Sequence, residues 1–328
     1  MAEIICDESI AKLKGFKKYK ALYNASLKSM DTEETIDLLF YRPIGFAWAI
    51  LAAKLGITPN AITIASIFIG VAGGVLLYFH NDLLWLNYIG ILFIIWANSF
   101  DSADGQLARL TKQYSRLGRI LDGVSGDFWF IAIYFAICFR VNCTSEFFMA
   151  HWPGWIWLMA IAAGACHGKQ AASADYYRQF HLFFVKGKEG SELDSCAQLD
   201  IEYRKLSWSK NFFKKLTSFF YRNYTANQEL ITPKMQLLRK VLKERFGEDI
   251  PMEFRSAFRL KSKPLMKYTN MLSFNTRIIV LFVSIIIQMP WLYFAFELVV
   301  LNAMMVYMIW RHERICTRFI MDLQDGKY

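Results

Sequence analysis

Four aspartates on two neighbouring apolar segments are the residues of this chain whose type and spacing could do chemistry: Asp101, Asp104, Asp122 and Asp127. Carboxylates within apolar segments are energetically costly and therefore indicate a site. Asp101 and Asp104 are three residues apart, and Gly118 and Asp122 are four apart, so each pair shares one face of a helix. Oxygen ligands without His or Cys at matching spacing favour Mg²⁺, Mn²⁺ or Ca²⁺ over zinc.

Basic and small residues accompany these acids. Arg109 and Arg119 supply cations suited to phosphate oxygens. Small side chains at five positions would let a backbone or a ligand approach closely: Gly105, Ala108, Gly118, Gly123 and Gly126. Acids, a metal and arginines together suit a diphosphate substrate. The alternative is a structural set of ion pairs between the acids and Arg109, Arg116 and Arg119.

The composition places this chemistry in a membrane. The 328 residues are 55% hydrophobic and 16% aromatic, which is too apolar for an ordinary soluble chain. Residues 61–79, 83–100 and 278–296 carry no charge and are each close to the length that crosses a bilayer. This composition excludes a secreted disulfide scaffold, a disordered chain and a soluble nucleotide-binding sheet protein.

The pattern predicts an all-α fold, a polytopic six-helix transmembrane bundle. An amphipathic juxtamembrane helix is predicted at 33–55, interrupted by Pro43 and too broken to cross the membrane. The six predicted spans are 61–79, Leu83 to about Arg109, Gly118 to 139, 152–172, and the two halves of 273–310 on either side of Pro290.

Four segments follow from this division: a cytoplasmic N-terminus with the juxtamembrane helix at 1–60, spans one to four at 61–172, a basic insertion at 173–272, and the last two spans with a tail at 273–328. The insertion is predicted to lie at the membrane surface. The predicted outer loops hold only Arg140 of the 38 basic residues, so both termini and the site are predicted to be cytoplasmic. We expect a bacterial inner-membrane protein.

At this point the chain resembles a known family. Seven residues match the signature of the CDP-alcohol phosphatidyltransferases at its set spacing: Asp101, Asp104, Gly105, Ala108, Arg109, Gly118 and Asp122. The segment Thr58-Pro59-Asn60 is also similar to the one that opens the first span in this family. The resemblance covers about 61–172 closely, and the insertion 173–272 lies outside the family core.

The resemblance implies a role for each matching residue. Asp101, Asp104 and Asp122 would hold Mg²⁺ or Mn²⁺, as one or two ions, at the diphosphate of a CDP-linked lipid. The CDP moiety would be lined by the small and basic residues of the motif: Gly105, Ala108, Arg109 and Gly118.

The chain departs from the family at the fourth acid. That acid is the family's general base and would fall at position 126, but here Gly126 precedes Asp127. We expect Asp127 to take the role, as catalytic base and fourth metal ligand, through a π-bulge or distortion at residues 123–126.

The implied function is transfer of a phosphatidyl group from a CDP-lipid to a polar alcohol, with release of CMP, in phospholipid biosynthesis. Inositol phosphate is the first choice of acceptor, as in a phosphatidylinositol-phosphate synthase, and Arg119, Lys169 and Arg178 are the cations expected to hold it. Glycerol phosphate, serine or an amino-alcohol would use the same metal site, as would a soluble CDP-alcohol with a lipid acceptor. The family also implies a homodimer, and no nucleic-acid partner is expected.

Two other functions compete with this one. A membrane prenyltransferase also uses aspartates and Mg²⁺ to bind an isoprenoid diphosphate, and Asn98, Asp101 and Asp104 partly match that pattern. The motif continuing through Ala108 and Arg109 favours CDP chemistry instead. A catalytically inactive, lipid-binding homologue would explain Gly126 and the long insertion.

Overall fold

The computed structural model describes residues 12–27, 31–145, 151–186, 195–247 and 249–328, and at residues 116, 117, 119, 120 and 213 it describes the backbone alone. Helices and short connections make up these residues, which confirms the predicted all-α fold. The helices are α1 (Gly15–Ser26), α2 (Arg42–Leu55), α3 (Pro59–Leu76), α4 (Trp85–Thr111), α5 (Arg116–Thr144), α6 (Gly154–Lys186), α7 (Cys196–Lys205), α8 (Phe212–Leu230), α9 (Pro233–Phe246), α10 (Met252–Ser262), α11 (Met266–Met271), α12 (Phe274–Ile286), α13 (Trp291–Phe296) and α14 (Asn302–Gln324).

Six helical segments of the described chain are long and apolar enough to cross a membrane, so this is an integral membrane protein: Asp37–Leu55, Pro59–Leu76, Asn81–Thr111, Leu121–Thr144, Met252–Ile286 and Trp291–Gln324. The number agrees with the prediction, and Pro290 separates the last two segments as expected.

One of the six was not predicted as a span, and one predicted span is not among the six. Asp37–Leu55 qualifies as a span because Pro43 does not break it: a π-helical turn precedes α2, and Pro43 lies in the first turn of α2, where no N–H donor is needed. The predicted span 152–172 does not qualify, although α6 has 33 residues. His167, Lys169 and Gln170 make the C-terminal part of that segment polar.

The chain divides into two compact units. The first unit comprises Met1–Ile161 and Val280–Phe294, and the second comprises Ala162–Ile279 and Ala295–Tyr328. Helix α6 continues through the predicted boundary at residue 172. The four-part division of the chain stays a prediction.

Glycines bring the helices of the first unit close together. A Cβ on Gly73 of α3 would lie 2.8 Å from the carbonyl oxygen of Gly90 on α4, and a Cβ on Gly74 would lie 3.1 Å from the backbone nitrogen of Ile133 on α5. Close backbone approach through small residues is a common way for membrane helices to pack. This packing holds α4 and α5 against α3.

Replacing Gly73 by alanine is expected to destabilise the protein by about 1–3 kcal/mol, because the backbone of Gly90 cannot move away from the new methyl group without shifting α4. The effect is measured as a shift in the temperature of thermal unfolding in detergent, with the folded protein that remains quantified by size-exclusion chromatography. Gly123→Ala is the matched control, since a Cβ there meets nothing within 4 Å. Equal unfolding temperatures for the two variants would contradict the close packing.

Arg140 is buried in the first unit, within α5. Its Nη1 donates to the carbonyl oxygen of Leu77 at 2.9 Å and to Oδ1 of Asn87 at 2.8 Å, and its Nη2 donates to Oε1 of Gln288 at 2.5 Å. The placement of Arg140 in an outer loop was therefore wrong. Its guanidinium contacts a carbonyl just past the C-terminus of α3, where helices leave carbonyls unbonded and carry partial negative charge.

The second unit has an aromatic core and a buried ion pair. Nη1 of Arg277 on α12 lies 2.5 Å from Oε1 of Glu297, which opens a π-helical turn before α14, and both side chains are at most 1% exposed. Nη2 of Arg277 donates to Oε1 of Gln170 at 2.7 Å. Nδ1 of His167 lies 3.1 Å from the same Glu297 oxygen. This network connects α6, α12 and the start of α14 inside the second unit.

Candidate active site

Three carboxylates meet between α4 and α5 in the first unit. Asp101, Asp104 and Asp122 each offer an oxygen, and these oxygens all lie within 4.8 Å of one another. Asp104 is buried, Asp101 is half-buried and Asp122 is exposed, so the cluster reaches from the interior to the surface. Three negative charges this close repel one another strongly in a poorly solvated site. The cluster therefore favours a bound cation.

Hydroxyl groups from two helices bond to Asp104 and Asp101. Oγ1 of Thr63 on α3 donates to Oδ2 of Asp104, and Oγ of Ser125 on α5 lies 2.8 Å from Oδ1 of Asp101. The same serine oxygen lies 2.9 Å from the carbonyl oxygen of Asp122. These contacts fix the orientation of the carboxylates, as second partners of metal ligands commonly do.

Helix α4 has a second polar face, turned toward α1 and α2. Oγ of Ser102 accepts from Nη1 of Arg42 at 3.1 Å, and Nε2 of Gln106 donates to Oγ of Ser26 at 3.0 Å. Nε of Arg109 donates to the carbonyl oxygen of Ser26. The N-terminal helices thus position the face of α4 that carries the predicted nucleotide-binding arginine.

Glycine is required at one motif position. A Cβ on Gly118 would lie 2.5 Å from Oδ1 of Asn60 and 2.8 Å from Oγ of Ser115. Ser115 caps α5 by accepting from the backbone nitrogen of Gly118 at 2.8 Å, and it donates to Asn60 at 3.2 Å. This contact joins the Thr58-Pro59-Asn60 segment to the start of the helix that carries Asp122. At Gly105 a Cβ would lie 3.4 Å from the guanidinium of Arg109, which covers this glycine.

Asp127 is exposed and lies outside the three-carboxylate group. Helix α5 is a regular α-helix from Arg116 to Thr144, so the expected distortion at 123–126 is not present. At about 100° per residue, Asp127 points roughly 100° away from the direction that residue 126 takes. Neither Gly123 nor Gly126 has any atom within 4 Å of a Cβ built on it, so both lie beside open space.

The three cations predicted to bind the acceptor lie in different environments. The side chain of Arg119 is outside the described residues, although its backbone belongs to α5. In the second unit, Lys169 is exposed on α6. Nη2 of Arg178 donates to Oδ1 of Asn270 at 3.3 Å and to Oγ of Ser273 at 2.6 Å.

Three residues that contact the site were not predicted to take part in it. Thr63 and Ser125 bond to the acids, and Arg42 bonds to Ser102, the residue next to Asp101. Ser125 could have been found from the sequence, because it follows Asp122 by three residues and so shares its helix face. Nothing in the local sequence signals that Thr63 or Arg42 lies near α4.

The chemistry of the donor set fits a divalent metal. Carboxylate oxygens at the end of membrane helices match the preference of Mg²⁺ and Mn²⁺ for hard oxygen ligands, and such sites typically leave positions for substrate phosphates. Asp101, Asp104 and Asp122 would hold the ion, and the exposure of Asp122 gives a substrate access to it. Such a site is suited to a ligand that carries phosphate groups.

Comparison with known proteins finds a family model that matches part of the chain. The family model described as CDP-alcohol phosphatidyltransferase matches residues 56–168, about a third of the chain. The matched part includes α3, α4 and α5 and every acid of the cluster, so it confirms the resemblance carried by the motif. It supports phosphatidyl transfer from a CDP-alcohol. A search of curated proteins finds no matching relative.

Proposed function

We propose that this protein transfers a phosphatidyl group from a CDP-linked lipid to a polar alcohol and releases CMP. The observation that carries the proposal is the meeting of Asp101, Asp104 and Asp122 within 4.8 Å, inside the segment that matches the family. Inositol phosphate is the proposed acceptor. We further propose a homodimer in a bacterial inner membrane, with the site on the cytoplasmic side.

The residues of the site have separate roles in this reaction. Asp101, Asp104 and Asp122 would hold Mg²⁺ or Mn²⁺, which neutralises diphosphate charge and stabilises the departing CMP. Arg109, beside Gly105, offers further N–H donors to the nucleotide phosphates. The acceptor hydroxyl attacks the lipid-side phosphorus, the bond from that phosphorus to the CMP oxygen breaks, and the hydroxyl proton passes to the carboxylate of Asp127.

The test is CMP release by the purified protein in lipid nanodiscs. CDP-diacylglycerol is supplied with Mg²⁺ or Mn²⁺ and a panel of acceptors: inositol phosphate, inositol, glycerol phosphate, serine and an amino-alcohol. Release that depends on one acceptor establishes the reaction and names the acceptor. If CMP is released only from a soluble CDP-alcohol with diacylglycerol, then the headgroup comes from the donor and the lipid is the acceptor. The absence of CMP release from either CDP donor with every acceptor would contradict the proposal, and release of diphosphate from an isoprenoid diphosphate would instead support a prenyltransferase.

Replacing Thr63 by valine is expected to raise the Mn²⁺ concentration needed for half-maximal activity by about 10–100-fold, because Asp104 loses the hydroxyl that orients it. A Mn²⁺ titration of CMP release measures the shift, and direct Mn²⁺ binding by electron paramagnetic resonance checks it without turnover. Thr63→Ser retains the hydroxyl and is the matched control. An unchanged Mn²⁺ dependence in the valine variant would show that Thr63 does not support the metal ligand.

The general base can be tested at two adjacent positions. If Asp127 accepts the proton, Asp127→Asn should lower kcat by about 10²–10⁴-fold with little effect on binding of the donor. Gly126→Asp restores the family's acid at a position with open space around the new side chain. In the background of Asp127→Asn, Gly126→Asp should recover activity. Full activity of Asp127→Asn alone would remove Asp127 from the mechanism.

A second candidate function is a catalytically inactive, lipid-binding homologue. The regular path of α5 and the position of Asp127 outside the carboxylate group favour it. Such a protein would be stabilised against heat by CDP-diacylglycerol with Mg²⁺ and would release no CMP. Gain of CMP release in Gly126→Asp alone would identify the missing acid as the cause.

A further inference from the structure

Helix α8 in the second unit is oriented with its apolar side outward. Phe212, Phe219, Phe220 and Leu230, here called the outward stripe, are between 36% and 77% exposed. At about 100° per residue, Phe212, Phe219 and Leu230 lie on one side of the helix and Phe220 is about 80° further round. These four large apolar side chains of α8 are therefore presented to the surroundings.

The opposite side of α8 is polar and buried. Thr225 and Gln228 are 3% and 6% exposed, and both lie more than about 130° from Phe212 around the helix axis. Nε2 of Gln228 donates to the carbonyl oxygen of Ala172 on α6 at 3.0 Å. A helix in water would bury its phenylalanines and expose its polar residues, so this arrangement indicates apolar surroundings at the outward stripe.

Basic residues at the N-terminal end of the outward stripe are here called its basic border: Lys210 precedes α8, Lys214 lies in its first turn on the side opposite Phe212, and Lys215 lies about 60° from Phe212. Lys210 and Lys214 are exposed. Nζ of Lys215 lies 4.8 Å from the ring centroid of Tyr203 and 5.4 Å from that of Trp208, which is itself 46% exposed. Lysines beside exposed Trp and Phe side chains are typical of helices that lie in a membrane interface, with the rings among the acyl chains and the cations at anionic headgroups.

We infer that the outward stripe of α8 inserts into the interface of an anionic lipid bilayer, with its apolar side chains at the acyl chains and its basic border at the headgroups. The net positive charge of residues 173–272 favours an anionic lipid surface over another occupant. These residues hold 19 Lys or Arg and 11 Asp or Glu. A protein that spans a membrane keeps this region near a lipid surface, and the basic border matches that surface in charge. This interaction is independent of the reaction proposed for the carboxylate site.

The test uses the full chain reconstituted in nanodiscs in the oligomeric state in which it is purified. Phe220→Cys and Leu230→Cys, two exposed positions of the stripe, are labelled with an environment-sensitive fluorophore. Lys240→Cys on α9, whose side chain is 72% exposed, is the control outside the stripe. The wild-type chain, labelled in parallel, gives the background from its own cysteines. Lipids brominated on the acyl chains quench a fluorophore that enters the membrane.

Quenching at residues 220 and 230 is expected to be severalfold greater than at residue 240 and to increase when phosphatidylglycerol is added to phosphatidylcholine. Reversing the charge of the border in Lys210→Glu, Lys214→Glu should remove that increase. Equal quenching at all three positions would overturn the inference. Protection from a water-soluble quencher without quenching by brominated lipid would also overturn it, because a second copy or another protein would then cover the stripe.

Discussion

Replacing Asp122 by asparagine is expected to lower the rate of CMP release by about a thousandfold, which corresponds to about 4 kcal/mol of lost transition-state stabilisation. Asp122 is the exposed member of the three-carboxylate group, so its oxygen faces the side from which a substrate diphosphate enters. Asparagine keeps the size of the side chain but removes the negative charge that attracts the cation. Single-turnover CMP release in nanodiscs measures the loss.

Ser125→Ala is the matched control for this variant, because it removes a hydrogen bond to Asp101 and leaves all three carboxylates in place. Ser125→Ala should lower the rate of CMP release much less, by about 10-fold. Both variants should unfold at the wild-type temperature to within a few degrees in the absence of metal. Near-normal CMP release by Asp122→Asn would show that the cluster does not hold the catalytic cation.

Breaking the buried ion pair of the second unit is expected to have the largest effect on stability. Glu297→Leu should lower the free energy of unfolding by about 3–5 kcal/mol, because Arg277 is 1% exposed and would keep an unpaired charge in an apolar interior. The loss is expected to be large enough to reduce the yield of folded protein. The midpoint of thermal unfolding in detergent, with yield as a second readout, measures it.

A double substitution separates the cost of an unpaired charge from the value of the pair itself. Arg277→Met combined with Glu297→Leu removes both charges, so the double variant should be more stable than Glu297→Leu alone. Additive losses from the two single substitutions would instead mean that each side chain acts through other contacts. Gln170 and the carbonyl oxygen of Leu272 also bond to Arg277, and they are the partners that would be involved.

The sequence alone was sufficient to predict the three clustered acids and most of the membrane spans. The i, i+3 spacing of Asp101 and Asp104 and the apolar runs around them are local properties, and the structure brings both acids together with Asp122 as expected. Pro290 also separates two helices as predicted, since α12 ends at Ile286 and α13 begins at Trp291.

Features that depend on tertiary contacts were missed. Thr63 is 41 residues from Asp104 in the chain, so no window of sequence connects the two. Arg140 was placed in a loop because the third span was predicted to end at residue 139, but three neutral oxygens from distant residues satisfy it inside the fold. A local feature was also predicted wrongly. Pro43 was expected to interrupt its helix, but the π-helical turn that precedes it lets the helix continue.

The two polar faces of α4 have a consequence for sequence variation among relatives. One face carries the acids, and the other carries Ser102 and Gln106, which bond to α2 and α1. A Cβ on Gly45 of α2 would lie 2.7 Å from Oε1 of Gln106 and 3.0 Å from Cβ of Ser102. Relatives that keep the N-terminal helices are therefore expected to keep small or polar residues at 102 and 106 together with glycine at 45. Relatives without those helices should vary at all three positions while the acids stay fixed.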